Sequence, residues 1–342
     1  MPERDLLVLS EEPLNAETKL GERTGTITPA GRHYVRTHFP VPHAPGAIAV
    51  DGAVGRPMSI TFDEIRSLPV KTLAVTLECA GNGRRFLEPK VPGEQWGLGA
   101  VGTAEWTGAP LRALLERVAP DSKAVEVLFR GADEGVPKDL GRRIAYERSL
   151  PVAEAMSADV LVAHLMNGGP IPPEHGGPLR LVVPGWYGMA SVKWLSRITV
   201  LEEPFVGFYQ TDRYVLDRSP LRAIAPRAIL THPQDGTRHE RAIWIAGFAW
   251  SGAAPITRVD LSTDGGESWD KLPDAYLEDS PRYAWRHFRF EHLLTKRSAV
   301  QHWSLAVRAT DALGNTQPVQ AKWNALGYAN NAIRTVRVEV LG

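Results

Sequence analysis

The only cysteine of the 342-residue chain, Cys79, lies in the stretch LECAGNGRRF, residues 77–86. The two glycines that follow it allow the backbone to bend sharply and to approach a ligand closely. Arg84 and Arg85 come next, and a nearby positive charge lowers the pKa of a thiol and favours the thiolate. A thiolate is both a nucleophile and a soft metal ligand. The segment therefore predicts either a reactive cysteine or a small buried apolar side chain, which is a common role of a free thiol.

Three kinds of chemistry are open to this thiol. A cysteine hydrolase needs a histidine and a carboxylate or amide beside the nucleophile, and the chain has ten histidines but no local signature of such an enzyme around Cys79. A zinc site needs three or four ligands, and no cysteine or histidine pair accompanies Cys79. A thiolate can also bind a metal whose other ligands come from an organic cofactor. That third hypothesis requires an anion-binding site elsewhere in the chain.

Basic residues and glycines recur in segments that could form such a site. In YVRTHFPVP (34–42), Arg36 and His38 are two residues apart, so they face the same side of an extended chain. HGGPLRLVVPG (175–185) joins a histidine and an arginine to a glycine pair, and WYGMASVKWL (186–195) adds a serine and a lysine. These donors, with glycine-flanked backbone N–H groups, suit a phosphate. Each segment alone is also typical of an ordinary surface loop.

Composition excludes several classes of protein. The length allows a full core and favours two domains. Lys and Arg together number 39, as do Asp and Glu, which argues against nucleic acid or an anionic membrane as the main partner. No run of about 18 apolar residues predicts a membrane span, and no Cys-x-x-Cys-His motif predicts attached haem. Because the first residues lack an export signal, we expect a cytoplasmic protein, or a periplasmic one if the start is misassigned.

Short elements must position these segments. Thr61 and Glu64 are spaced as a capping box and predict the start of a helix, and APLRALLERVAP (109–120) has one apolar helical face. LAVTLE (73–78) alternates and predicts a strand that ends at Cys79. Further strands are predicted for residues 124–131, 159–166 and 179–185, whereas residues 1–45 suggest an extended, irregular segment. This half of the chain predicts a mixed α+β domain.

The pattern changes after about residue 222. Alternating strands are predicted for residues 241–250, 256–269, 302–315 and 334–342, and they are separated by Asp-Gly, Gly-Gly and Gly-Asn turns. Regularly spaced short strands with such turns are typical of a β-sandwich. We therefore predict two domains, residues 1–222 and 223–342.

Taken together, the segments resemble the sulfite oxidase family of molybdopterin enzymes over roughly residues 30–342. LECAGNG with its arginine pair is similar to the family's Cys-Ala-Gly-Asn segment, and YVRTH to its Arg-Asn-His segment, with Thr37 in place of Asn. EHGGPLR and SVKWL resemble the segments that bind the cofactor phosphate, and QWGLGAVGTAEWTGAPL (95–111) resembles a pocket segment. STDGGESW and KWNALGYANNAIRTVRV resemble an immunoglobulin-like dimerisation domain. The resemblance implies a molybdopterin-binding domain of the sulfite oxidase fold, then a β-sandwich, in a homodimer.

The resemblance also implies roles for individual residues. Cys79 would be the protein's thiolate ligand to molybdenum, with one molybdenum per chain and no haem. The implied catalytic residues are Arg36, Trp96 and Tyr214, with Arg84 or Arg85. The implied cofactor contacts are Tyr34, Val35, Arg36, Thr37, His38, Asp133, His175, Arg180, Ser191, Val192 and Lys193. An extra glycine before the arginine pair leaves open which of the two faces the pocket.

The implied activity is oxygen-atom transfer that oxidises sulfite to sulfate and passes electrons to an external acceptor such as a cytochrome. Animal members of the family carry an arginine within the WNALG segment, where this chain has Ala325 and Leu326. That difference admits another oxyanion or oxo-acceptor. Two alternatives stay open: reduction of nitrate or a sulfoxide on the same cofactor, and a non-catalytic binding protein whose β-sandwich is an adhesion module.

Overall fold

A computed structural model describes residues 5–21, 24–43, 45–294 and 300–341 of the chain. Within these ranges the α-helices are Phe62–Arg66, Leu111–Val118 and Val152–Ala155. Thr61 and Glu64 form the predicted capping box, each side chain accepting a hydrogen bond from the other's backbone N–H. The four apolar residues on one face of the second helix are buried. Both helix predictions are therefore confirmed. None of the helices described is long and apolar enough to cross a membrane.

The strand that leads to Cys79 belongs to a five-stranded antiparallel sheet. The strands of this sheet are Gly169–Pro170, Leu161–Met166, Val101–Pro110 and Lys71–Glu78, with Arg180–Val182 paired to the second of them. The N–H of Cys79 still donates to the carbonyl of Ala100 at 2.9 Å, just beyond the last ladder pair. The predicted strand therefore places the thiol on the first residue after the sheet ends.

A second five-stranded sheet packs against the rest of this half and forms its main core. Its strands are Met58–Thr61, Ala47–Gly52, Leu195–Leu201, Glu126–Gly135 and Ile144–Pro151. Only the contact between Leu195–Leu201 and Ala47–Gly52 is parallel. The register shifts between Arg130 and Glu134, and such a bulge redirects a side chain. Asp133 lies in this bulge and is buried.

Residues 1–45 are extended as predicted, but the prediction that they are irregular is wrong. They contain a small antiparallel sheet whose strands are Leu6–Ser10, Asn15–Thr18 and Val35–Arg36. The last strand has only two residues, too few to show an alternating pattern. Its position depends on a distant side chain instead, because Asn15 Oδ1 accepts hydrogen bonds from the Arg36 side chain and the Thr37 N–H. This sheet holds Arg36 in place.

The chain after residue 226 forms two facing sheets with a core of their own. One contains Arg227–His232, Ala242–Trp250 and Arg286–Leu293, and the other contains Thr237–Glu240, Thr335–Leu341, Gln301–Asp311, Ile256–Ser262 and Asp270–Lys271. In the described part of this half, the helical structure is the 3₁₀ turn Asp274–Tyr276. We refer to residues 223–342 as the second domain, and the boundary itself stays a prediction. A two-strand hairpin, Val215–Leu216 with Ser219–Pro220, precedes it.

Candidate active site

Two pockets adjoin at Cys79. The first, which we call the inner cavity, has an empty volume of ≈ 660 Å³ including its open side, and Tyr34, Asp133, His175, Arg180, Ser191 and Lys193 are among its lining residues. The second, the outer vestibule, has ≈ 2670 Å³, and Glu17, Arg84, Arg85, Trp96, Tyr209 and Tyr328 are among its lining residues. Four residues line both pockets, namely Arg36, His38, Cys79 and Tyr214. These four form the boundary between the two.

Cys79 is buried yet faces both pockets. Burial raises the pKa of its thiol, while Arg36 and Arg84 act in the opposite direction. The effect of charge thus has the sign predicted from the sequence, but burial outweighs it. A thiol of this kind is protonated at neutral pH until a metal binds and displaces the proton. The site therefore suits a metal ligand better than a free nucleophile.

Two basic side chains meet in the inner cavity. Arg180 donates to the carbonyls of His175 and Ser191, at 2.7 and 3.0 Å. Lys193 Nζ donates to the carbonyl of Glu174 at 3.0 Å. Burial lowers the pKa of Arg180 to about 10, and burial together with Arg180 lowers the pKa of Lys193 to about 7. A buried cation is stabilised by an anion beside it, so this end of the cavity fits a phosphate group.

A glycine brings the backbone close to that lysine. Gly176 has a φ of 96°, and a Cβ at this position would lie 2.6 Å from Cβ of Lys193. Any larger residue would combine a left-handed backbone with a steric clash. The first glycine of the HGGP segment, which follows the turn Pro173–His175, is therefore explained by its close approach to Lys193, whereas a Cβ at the second, Gly177, would clash with the carbonyl oxygen of Ile171.

Among the described residues, several buried polar atoms of pocket-lining side chains have no hydrogen-bond partner, including Asp133 Oδ1 and His33 Nε2 in the inner cavity and Trp96 Nε1 and Arg84 Nε at the vestibule. Burial raises the pKa of Asp133 to about 6. A buried polar atom without a partner costs about 1–3 kcal/mol, and a ligand that bonds it removes that cost. A pterin, which carries several ring N–H and amino groups, offers donors for the Asp133 carboxylate.

Tyr214 and His38 share a short hydrogen bond, with 2.6 Å between Oη and Nε2. Burial raises the pKa of Tyr214 and lowers that of His38, so a neutral phenol faces a neutral imidazole. The His38 ring packs against both Tyr146 and Tyr209, with centroids 4.9 and 4.8 Å away. Tyr214 itself has a left-handed φ of 57°, which is rare for a bulky residue. Its stacking on Tyr328 at 5.1 Å helps to hold that conformation.

Comparison with known proteins agrees with this geometry. The profile of the oxidoreductase molybdopterin binding domain matches residues 38–209, and that of the Mo-co oxidoreductase dimerisation domain matches residues 223–341. Mitochondrial sulfite oxidase of Mus musculus is 35% identical over 366 residues, which cover 98% of this chain and 66% of that protein. The chain belongs to the sulfite oxidase family of molybdopterin oxidoreductases.

Other relatives show how broad this family is. The NADH nitrate reductase of Solanum lycopersicum is 34% identical over 372 residues, which cover 96% of this chain and 40% of the reductase. The crystal structure of the sulfane dehydrogenase SoxCD from Paracoccus pantotrophus matches with a TM-score of 0.82 at 27% identity, covering 98% of this chain and 87% of that one. The predicted family, fold class and molybdopterin cofactor are confirmed. The chain spans less than two thirds of the length of the curated relatives it matches.

Most of the residues that the sulfite oxidase family suggested lie in the two pockets. Three differ. Val35 packs against Leu6 and Ala16 in the small N-terminal core, and Val192 packs in the main core, so both support the cavity from behind. Thr37 contacts it indirectly, because its Oγ1 accepts a hydrogen bond from Lys193 Nζ at 3.2 Å.

Arg84 and Arg85 differ in burial and in hydrogen bonding. Arg84 is buried, donates to the carbonyls of Glu94 and Leu326 at 2.8 and 3.1 Å, and lies over the ring of Tyr328 at 5.3 Å. Arg85 is exposed and lines the vestibule. Much of the hydrogen-bonding capacity of Arg84 is thus used within the protein, whereas Arg85 keeps its charge available at the vestibule.

Sequence reasoning missed several pocket residues. These are His33, Tyr146 and Glu174 in the inner cavity, and Tyr209 and Tyr328 in the vestibule. His33 directly precedes the YVRTH segment, so extending that motif by one residue would have included it. Tyr328 comes from the second domain, and no local pattern marks it as a pocket residue.

Proposed function

We propose that this protein oxidises sulfite to sulfate at a molybdenum centre bound by Cys79, and passes the electrons to an external acceptor such as a cytochrome. The observation that supports this most is the boundary between the pockets. Arg36, His38, Cys79 and Tyr214 line both an enclosed basic cavity and an open vestibule. A cofactor in the cavity and an anion in the vestibule would therefore meet at the one thiol of the chain.

Different side chains would hold the cofactor and the substrate. Arg180 and Lys193 would bind the cofactor phosphate, and Asp133 a polar edge of the pterin. Arg36 would pair with two substrate oxygens, because a guanidinium presents a planar fork of donors. Trp96, whose indole N–H is unpaired, would donate to the same anion or to the cofactor.

The bound molybdenum would supply the oxygen-atom transfer and accept two electrons. Overall, sulfite and water give sulfate, two protons and two electrons. Tyr214 and His38 are placed to manage one of those protons, since a hydrogen-bonded phenol–imidazole pair can pass a proton between its two members. The same pair would keep the phenol oriented toward the vestibule.

A second substrate class is favoured by one feature of the vestibule. Ala325 and Leu326 line it, at the segment where the family resemblance expects an arginine. A vestibule without that charge binds a small dianion less strongly and leaves room for a larger substrate. The structurally similar SoxCD is named a sulfane dehydrogenase, so a sulfane sulfur is the second candidate. Nitrate reduction is the third, because a nitrate reductase is among the relatives.

The second domain supports the proposal of a homodimer, since residues 223–341 match a dimerisation domain. Sedimentation or light scattering of the pure protein would test this. A mass that stays at 37.5 kDa over the working concentration range would contradict it.

Elemental analysis and a set of assays on one preparation would test the function. We expect about one molybdenum per chain and sulfite-dependent reduction of ferricyanide. Faster turnover of a sulfane compound would shift the proposal to the second candidate, and nitrate reduction from a reduced dye to the third. Pure protein without molybdenum or pterin would contradict all three and favour a non-catalytic binding protein.

A further inference from the structure

The residue immediately before Cys79 is held by the second domain. Glu78 is 2% exposed, and its carboxylate accepts hydrogen bonds from Arg227 Nη1 at 2.7 Å and from Trp250 Nε1 at 2.8 Å. Arg227 is itself buried. A buried carboxylate is stable only when charges and donors surround it, and here the paired charge and two of the donors come from the other domain.

The residues after Cys79 are held from the same side. The N–H of Ala329 donates to the carbonyl of Ala80 at 2.8 Å, and Asn330 Nδ2 donates to the carbonyl of Gly83 at 2.7 Å. Contacts with the second domain therefore flank Cys79 in both directions along the chain.

One residue of the loop closes this arrangement into a network. Asn82 Nδ2 donates to Glu78 Oε1 at 2.9 Å, and the Asn82 carbonyl accepts from Arg227 Nη2 at 3.3 Å. The Asn82 N–H also donates to the carbonyl of Cys79 at 2.9 Å. A change in the position of Glu78 or Arg227 is thus transmitted directly to the backbone of Cys79.

We propose that the second domain positions the thiol of Cys79, through the grip of Arg227 and Trp250 on Glu78. Glu78, Arg227 and Trp250 are positioning residues, and we call them the clamp. The inference rests on the proposed function in that it takes Cys79 to be the metal ligand. It gives the second domain a role beyond dimerisation: the orientation of the sulfur depends on how the two domains are docked.

Another contact between the domains provides a matched control. Tyr283 Oη donates to Asp159 at 2.6 Å, and the hydrogen bonds that the structure describes for these two residues do not involve the loop of residues 79–83. Tyr283→Phe removes one hydrogen bond from the domain interface without touching the clamp. A general loosening of the interface is thereby separated from a specific effect on Cys79.

The single cysteine allows a direct measurement on the full-length chain made without cofactor. A thiol reagent reports only on Cys79, and its rate of reaction follows the local opening of the loop. We expect about tenfold faster labelling in Glu78→Gln, since a charge-assisted hydrogen bond is lost, a smaller increase in Trp250→Phe, and the wild-type rate in Tyr283→Phe. If Glu78→Gln does not fold, Trp250→Phe decides the question. Wild-type rates in the clamp variants, or an equal increase in Tyr283→Phe, would overturn the proposal.

The loaded enzyme gives the second measurement. Electron paramagnetic resonance of the half-reduced metal senses the orientation of its sulfur ligand, so we expect a shifted signal in the clamp variants and a wild-type signal in Tyr283→Phe. A wild-type spectrum in Glu78→Gln and Trp250→Phe would overturn the proposal even if labelling accelerates. A chain that carries no molybdenum would instead contradict the proposed function, and the labelling rates would still test the clamp.

Discussion

The inner cavity and the outer vestibule are built in different ways. All the described residues that line the cavity precede the second domain, and Arg180 and Lys193 within it are held by backbone carbonyls. The vestibule draws on both domains, and its wall includes exposed apolar residues such as Leu7 and Val8 beside the exposed Arg85. The cavity is thus preorganised for one kind of ligand, whereas the vestibule is open and chemically mixed.

The cavity binds the cofactor that the members of a family share, whereas the vestibule selects the substrate by which the members differ. A cofactor whose chemistry does not vary needs hydrogen-bond donors at fixed positions, and here these donors lie on short segments that can be recognised as motifs in the sequence. A substrate is selected by the vestibule, where Ala325 and Leu326 replace an arginine that the resemblance leads one to expect. We therefore expect changes in the cavity, at Cys79 and at Tyr214 to abolish or slow turnover, and changes to the arginines that face the vestibule, Arg36 and Arg85, to alter affinity.

The largest effect is expected at the boundary itself. Cys79→Ser replaces a soft sulfur donor with a hard hydroxyl of nearly equal size, so the protein should fold while sulfite oxidation falls below detection. Turnover with ferricyanide measures the loss, and thermal unfolding provides the control for folding. Wild-type turnover in this variant would show that Cys79 is not the metal ligand. It would also contradict the assignment of one pocket to the cofactor and the other to the substrate.

Tyr214→Phe should lower kcat roughly 100-fold, the usual size of a positioned proton-transfer group, with a smaller change in KM. Tyr209→Phe is the matched control, because Tyr209 also packs on His38 but does not take part in the Tyr214–His38 bond. Steady-state kinetics across pH would separate the two variants. Equal losses in both would show that the aromatic packing matters and the shared proton does not.

Arg36→Gln should raise KM for sulfite by about 10- to 100-fold while kcat changes less, since a charge-assisted contact is worth about 1.5–3 kcal/mol. Arg85→Gln should raise KM much less, because water and salt screen an exposed charge. The ratio of the two changes in KM measures how much more strongly a positive charge beside Cys79 attracts the substrate than a positive charge in the outer vestibule. An unchanged KM in Arg36→Gln would take Arg36 out of the substrate pocket.

The sequence carried more information about the cavity than about the vestibule. Cys79, His175 and Lys193 stand in motifs where glycine, charge and strand end occur together, and each motif folds locally. Tyr328 and Arg227 reach the site only because the second domain docks there, and nothing within a few residues of either predicts it. The net direction of the pKa shift of Cys79 could not be predicted for a similar reason. Neighbouring arginines are visible in the sequence, but the extent of burial is a property of the whole fold.

The smallest predicted effect concerns the pH dependence of anion binding to the cofactor-free chain. The pKa of Lys193 is lowered to about 7, so the ammonium group is mostly charged at pH 6 and neutral at pH 9. Sulfate, whose charge is constant over this range, should therefore bind roughly five- to tenfold more weakly at pH 9, since one charged contact is lost. Calorimetric titration would measure this change.

Other groups in the cavity set the controls for that titration. Asp133, with a pKa raised to about 6, gains negative charge over the lower part of the range and weakens binding in the same direction, whereas Arg180, at about 10, stays charged. His38 and His175 stay neutral because burial lowers their pKa values. Lys193→Met should bind sulfate weakly at pH 6, and its affinity should then fall with pH only as far as Asp133 ionises. Asp133→Asn should keep the fall in affinity that comes from deprotonation of Lys193. A wild-type affinity for sulfate that is constant from pH 6 to 9 would show that sulfate does not bind at Lys193. The proposal that this end of the cavity binds the cofactor phosphate would then be contradicted.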